Sequence, residues 1–115
     1  MFQFNSKNNR FEQEINDILF VTDDLFENCE QISHDIALIY ESRLPAIAQF
    51  LLDEDIEAFI GPSEVQMIIA GLGRPIIDVG KCLISYCENT LDYSHIIDVE
   101  FDGILSRFDY MGFDG

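Results

Sequence analysis

Apolar residues in the first half of the chain recur at intervals of three and four. Phe11, Ile15, Ile18 and Leu19 form one such set, with Glu12, Gln13, Glu14 and Asp17 between them, which predicts an amphipathic helix. Thr22 followed by Asp23 and Asp24 reads as an N-cap with two carboxylates in a first turn, where the helix dipole favours negative charge. A second helix is expected from there, with Leu25, Phe26, Cys29, Ile32, Ile36, Ile39 and Tyr40 as its buried stripe. Pro45 suits the first turn of a third helix better than the interior of one long one, so a break is expected after Leu44. Ala46, Ile47, Phe50 and Leu51 carry the stripe on to the acidic stretch Asp53, Glu54, Asp55 and Glu57. Ala58, Phe59 and Ile60 then run into the stop Gly61-Pro62. Ser63 with Gln66 has capping-box form, and a short helix through Val65, Met67, Ile68 and Ile69 should end at Gly71 and Gly73.

Beyond Arg74 the period falls to two and β-branched and aromatic residues take over. Pro75–Val79, Cys82–Cys87, His95–Phe101 and Leu105–Phe113 are the candidate strands. Gly80-Lys81 and Asp102-Gly103 are turn signals, the second suited to the positive φ angles of a tight hairpin. In the third candidate strand Ile97, Val99 and Phe101 share one face and Ile96, Asp98 and Glu100 the other, so one side should pack on helices and the other should be largely wet. The expected fold class is α+β: N-terminal helices packed on a C-terminal antiparallel β-meander of three to four strands. With no repeat and no long linker, residues 1–115 read as a single domain, helical over about 9–70 and sheet over about 74–113.

Charge changes the picture. The chain has 22 Asp and Glu against 6 Lys and Arg, a formal net charge of -16, yet 48% of its residues are hydrophobic, too many for an acidic disordered tail. Between Arg10 and Arg43 lie nine carboxylates and no cation: Glu12, Glu14, Asp17, Asp23, Asp24, Glu27, Glu30, Asp35 and Glu41. Between Lys81 and Arg107 lie Glu88, Asp92, Asp98, Glu100 and Asp102, again without a cation. An exposed helix normally draws i,i+4 support from opposite charges, and here those pairs are missing. Such a surface favours salt-sensitive capture of basic partners and repels nucleic acid and anionic membrane. The candidate partner-binding residues are therefore Asp23, Asp24, Glu27, Glu30, Asp53, Glu54, Asp55, Glu57, Glu88, Asp92, Tyr93, Asp98 and Glu100. Asn89 to Ser94 reads as an exposed loop. There Leu91 and Tyr93 either anchor a partner or cover the core.

No constellation for catalysis emerges. His34 and His95 have no evident nucleophile beside them, and Gly71-Leu72-Gly73 follows a helix instead of joining a strand to one, so it lacks the setting of a dinucleotide or phosphate loop. The Asp53–Glu57 run lacks the spaced donors and central glycine of an EF-hand, so no metal and no cofactor are expected. Cys29, Cys82 and Cys87 are odd in number and without metal-type spacing, which predicts reduced, buried thiols. The segment MFQFNSKNNRF has no apolar run of signal-peptide length, and no window approaches the roughly 20 apolar residues of a membrane span. A cytoplasmic location is expected.

The helices followed by the meander PIIDVGKCLISYCE and SHIIDVEFDG, on a short acidic chain, resemble the bacterial immunity proteins that neutralise contact-dependent growth-inhibition toxins. The resemblance spans the chain in style and carries no motif from which site residues transfer. It implies a non-enzymatic inhibitor of a toxin domain, commonly an RNase or DNase, kept in the cytoplasm of the producing cell. A nuclease presents Lys, Arg and His to phosphate, and a carboxylate-rich surface can occupy that site. The rival expectation is a nucleic-acid mimic that inhibits a DNA-binding host protein. A third is an enzyme assembled from His34, His95 and distant carboxylates.

Overall fold

The computed structural model describes residues 1–115 and contains a single seven-stranded sheet with helices inserted in its middle. Strands β1 (Gln3–Asn5), β2 (Arg10–Ile15) and β3 (Ile18–Thr22) come first. Helices α1 (Cys29–Asp53), α2 (Glu57–Ile60) and α3 (Val65–Leu72) follow, then β4 (Ile76–Asp78), β5 (Leu83–Tyr86), β6 (Ile96–Asp102) and β7 (Arg107–Asp114). The strands lie in chain order across the sheet. All neighbours are antiparallel except β3 and β4, which run parallel because the three helices form the crossover between them. The class is α+β, and the four-stranded C-terminal meander is present, but the sheet is larger than three to four strands and its first three strands precede the helices.

The helix expected over Phe11–Leu19 is instead the β2–β3 hairpin. Phe11 and Ile15 are four apart, a spacing that returns to the same face of a strand as well as to the same side of a helix. The Asn16-Asp17 dipeptide decides between them: both residues have positive φ, 51° and 67°, and Ile15 pairs with Ile18 across a two-residue turn. Thr22 is then the last residue of β3, and its hydroxyl donates to the carbonyl of Asp24, so it caps no helix. Asp23 and Asp24 lie in the connection, and α1 begins only at Cys29, after Asn28 in the left-handed region at φ 68°.

Nor does the chain break at Pro45, which lies inside a 25-residue α1. Ile36 and Tyr40 before the proline and Ile47, Ala48 and Leu51 after it are all buried, so packing on both sides outweighs the missing N–H. The Ser63–Gln66 capping box is absent too. Glu64 stands at the α3 N-cap, while Ser63 donates from its hydroxyl to the Gly61 carbonyl and from its N–H to the Glu57 carboxylate. Gly73 closes α3 at φ 76°, where a side chain would meet the Glu88 carbonyl oxygen at 2.7 Å. Gly71 lies within the helix, under Leu91. The Asp102-Gly103 turn is longer than a two-residue hairpin, because Asp102 pairs with Arg107 across four residues.

One cluster of 20 buried residues joins the helices to one face of the sheet. A cross-strand row runs from Gln13 through Phe20, Ile77, Ile84 and Val99 to Met111, and all but its two ends are buried apolar residues of that cluster. Tyr40 of α1 and Tyr86 of β5 share a hydroxyl hydrogen bond of 2.6 Å in the interior, and burial pushes the Tyr40 phenol up to about 12. Because every helix belongs to the one crossover and packs against this face, the other face of the sheet has no layer over it.

Candidate functional site

Strand alternation places the second half of the β residues on the uncovered face. Two rows can be read from the register: Glu12, Val21, Asp78, Leu83, Glu100 and Tyr110, and Glu14, Leu19, Ile76, Ser85, Asp98 and Gly112. Asp114, opposite Ile96, and Asp102 extend the same face. Carboxylates alternate with apolar groups along the first row, while Leu19 and Ile76 are adjacent in the second, and Val21 and Asp98 are buried.

Five of the six Lys and Arg side chains are already engaged, and Lys7 is the exception. Arg10 pairs with Glu12 at 2.7 Å, Arg74 with Glu14 at 2.6 Å, and Arg107 with Asp102 at 2.9 Å and Asp109 at 2.7 Å. Lys81 directs its ammonium to Asp23 at 3.7 Å. Arg43 donates to the Leu105 carbonyl and lies over the Phe108 ring. Asp98, Glu100 and Asp114 have no cation of the chain within ion-pair distance.

Asp98 is the most constrained of these groups. It is 9% exposed, the only acidic residue in the buried set, and its single hydrogen-bond donor is the Ser85 hydroxyl at 2.7 Å. Burial, and then a hydrogen bond shared with the Asp114 carboxyl, push its pKa up from 3.8 to about 6. The two residues are diagonal neighbours, since Asp98 faces Gly112 and Asp114 faces Ile96. They line a groove of about 310 Å³ together with Lys81, Leu83, Glu100 and Tyr110.

The other expected partner-binding residues are dispersed. Asp23, Asp24 and Glu27 are exposed in the β3–α1 connection, and Glu30 accepts the Phe2 N–H at 2.9 Å. Asp53 accepts from Gln49, Glu54 and Asp55 form the turn after α1, and Glu57 holds Ser63, so this acidic run mainly shapes its own loop. Glu88, Asp92 and Tyr93 lie in the β5–β6 connection. This is only partly an exposed loop, because Asn89 is buried and its amide makes four hydrogen bonds to backbone groups. Leu91 packs on the core, whereas Tyr93 is 86% exposed. Of the thirteen residues, only Asp98 and Glu100 lie together on the uncovered face. Sequence reasoning missed Asp78, Tyr110 and Asp114, although the alternation Tyr110, Gly112, Asp114 in β7 was available to mark the last two.

His34 is exposed on α1, and His95 bonds the Asp92 carboxylate at 2.8 Å, a contact that lowers the Asp92 pKa. No three His, Cys, Asp or Glu side chains gather as metal ligands. Only one of the three cysteines, Cys29, is buried: Cys82 is half-buried and Cys87 exposed, since Cys82 ends the turn before β5 and Cys87 follows β5 on the open side. Burial, then neighbouring carboxylates, raise the pKa of both of those thiols, so they are poor nucleophiles. A larger cleft of about 590 Å³ lies between the Asn16-Asp17 turn, Leu38 and Glu41 of α1, and Arg74, but its one cation is held by Glu14 and Asp17. No helix is long and apolar enough to cross a membrane. No protein-family model, curated protein or solved structure matches the chain.

Proposed function

We propose that this chain is a non-enzymatic inhibitor that binds a basic protein through the uncovered face of its sheet, and that the partner is a cationic toxin domain of nuclease type. The observation that carries this reading is the set Asp98, Glu100 and Asp114, left without a cation of their own on a face with no covering layer. A folded chain of net charge -16 bears that self-repulsion at a cost, and a basic partner relieves it on binding. Leu83 and Tyr110 supply apolar contact among the carboxylates, the mixture found at anchored interfaces. The role is that of an immunity protein acting in the cytoplasm, where the acidic face occupies the surface with which a nuclease would hold phosphate.

The test is affinity purification of the tagged chain at low and high salt, followed by mass spectrometry and a nuclease assay of the recovered complex. One cationic toxin domain, bound stoichiometrically and silenced, is the expected result. Recovery of a DNA-binding host enzyme would replace this reading with nucleic-acid mimicry. Recovery of no basic protein would overturn both.

A further inference from the structure

Resting on that reading, we propose that the groove between β5, β6 and β7 is the anchor point of the interface and takes an arginine side chain of the partner, its guanidinium held between Asp98 and Asp114 and its stem lying against Leu83 and Tyr110. Three structural facts specify this occupant. The groove is a recess of about 310 Å³, large enough for one long side chain. Its floor opposite Asp98 is Gly112, and the Tyr110 ring lies so close that a methyl group at Gly112 would come within 3.0 Å of it. An aromatic wall beside two carboxylates suits a planar cation better than a compact ammonium, because guanidinium both stacks and forms paired hydrogen bonds to carboxylate. Finally, Asp98 is nine-tenths buried yet receives one hydroxyl donor from the chain, and its other neighbour is another carboxyl. Buried charges are ordinarily paired, and the missing partner here is a cation.

The groups facing Asp98 are known on every side. Asp114 comes from β7, Glu100 from its own strand, Ser85 from β5 and Lys81 from the β4–β5 turn. Cys87 and Glu88 stand beyond β5. The cations nearby are Lys81, directed to Asp23, and Arg10, which acts on Cys87 and is held by Glu12. In the empty groove Asp98 holds a proton below about pH 6, hydrogen-bonded to the Asp114 carboxyl. Insertion of a guanidinium favours Asp98 as a carboxylate, so that proton leaves to solvent and affinity falls as the pH drops through about 6.

The experiment is an NMR titration of the whole chain with hexa-arginine and, separately, hexa-lysine, at about pH 5 and about pH 7.5, with calorimetry in buffers of different ionisation enthalpy to count protons. Shifts centred on Asp98–Glu100 and Tyr110–Asp114 are expected. Hexa-arginine should bind several-fold more tightly than hexa-lysine, release protons at about pH 6, and lose about tenfold in affinity in Asp98→Asn and in Asp114→Asn. Tyr110→Ala and Asp114→Asn, both exposed, carry the test if Asp98→Asn fails to fold. Shifts confined to Asp23–Glu30, or binding unchanged in the variants, would overturn the groove while leaving a basic partner in place. Equal binding of the two peptides, shifts with calcium chloride but not with hexa-arginine, or no shifts at all would also overturn it.

Discussion

Gln13 has both of its amide heteroatoms buried without a hydrogen-bond partner, and it is the only side chain so placed. It stands in the core-facing row beside Phe20, where an apolar residue would be ordinary. An unsatisfied buried amide costs on the order of 1–3 kcal/mol, so Gln13→Met, which keeps length and removes the polar atoms, is expected to stabilise the fold by about 1–2 kcal/mol. Urea unfolding followed by circular dichroism would show it as a higher midpoint at unchanged slope. A lower midpoint would mean that the amide has a partner in solution. Asp98 is the counterpart on the opposite face. It is as buried as Gln13, but it belongs to a groove and can be satisfied by something brought from outside.

Helix α1 illustrates how an element overrides its own sequence. Pro45 removes the N–H that would bond the Glu41 carbonyl, and a proline in a helix interior costs about 3 kcal/mol relative to alanine. Since the helix runs through it without a break, Pro45→Ala should raise unfolding stability by about 1–3 kcal/mol, measured by the same denaturant method. No gain would show that the local backbone has already relaxed around the ring. The same element explains what was legible beforehand. The period-two meander from β4 to β7, the inward Ile97, Val99 and Phe101, and the outward Asp98 and Glu100 follow from alternation alone. The N-terminal hairpin does not, because the interval of four from Phe11 to Ile15 satisfies helix spacing as well as strand spacing, and the turn at Asn16-Asp17 carries no glycine. Likewise the acidic excess was visible by counting, but counting gives no face. Only the register separates Asp98, Glu100 and Asp114 from helix-end carboxylates such as Asp53 and Glu57, which are engaged by Gln49 and Ser63.

At the scale of the whole molecule, charge couples folding to pH. Asp98 has a folded pKa of about 6 against an ordinary 3.8, so its contribution to stability is fully present below the lower value and is lost as the pH rises through the higher one. The general repulsion of a -16 chain acts in the same direction. The protein is therefore expected to melt at a higher temperature at about pH 5 than at about pH 7.5, and Asp98→Asn should flatten that difference by raising the melting temperature mainly at the higher pH. Calorimetric scans at the two pH values decide it, and a higher melting temperature at pH 7.5 in the parent chain would contradict the assignment. The crossover has a different consequence, in the order of events by which the sheet is assembled. Five of its six strand pairings join sequence neighbours through turns and can close in microseconds, whereas the sixth must bring Leu19–Val21 to Ile76–Asp78 through three residue pairs. Loop-closure entropy for the whole sheet is concentrated in that one step. An N-terminal hairpin and a C-terminal meander thus form as separate nuclei, and the pairing of β3 with β4, Phe20 against Ile77, sets the rate at which they become one sheet.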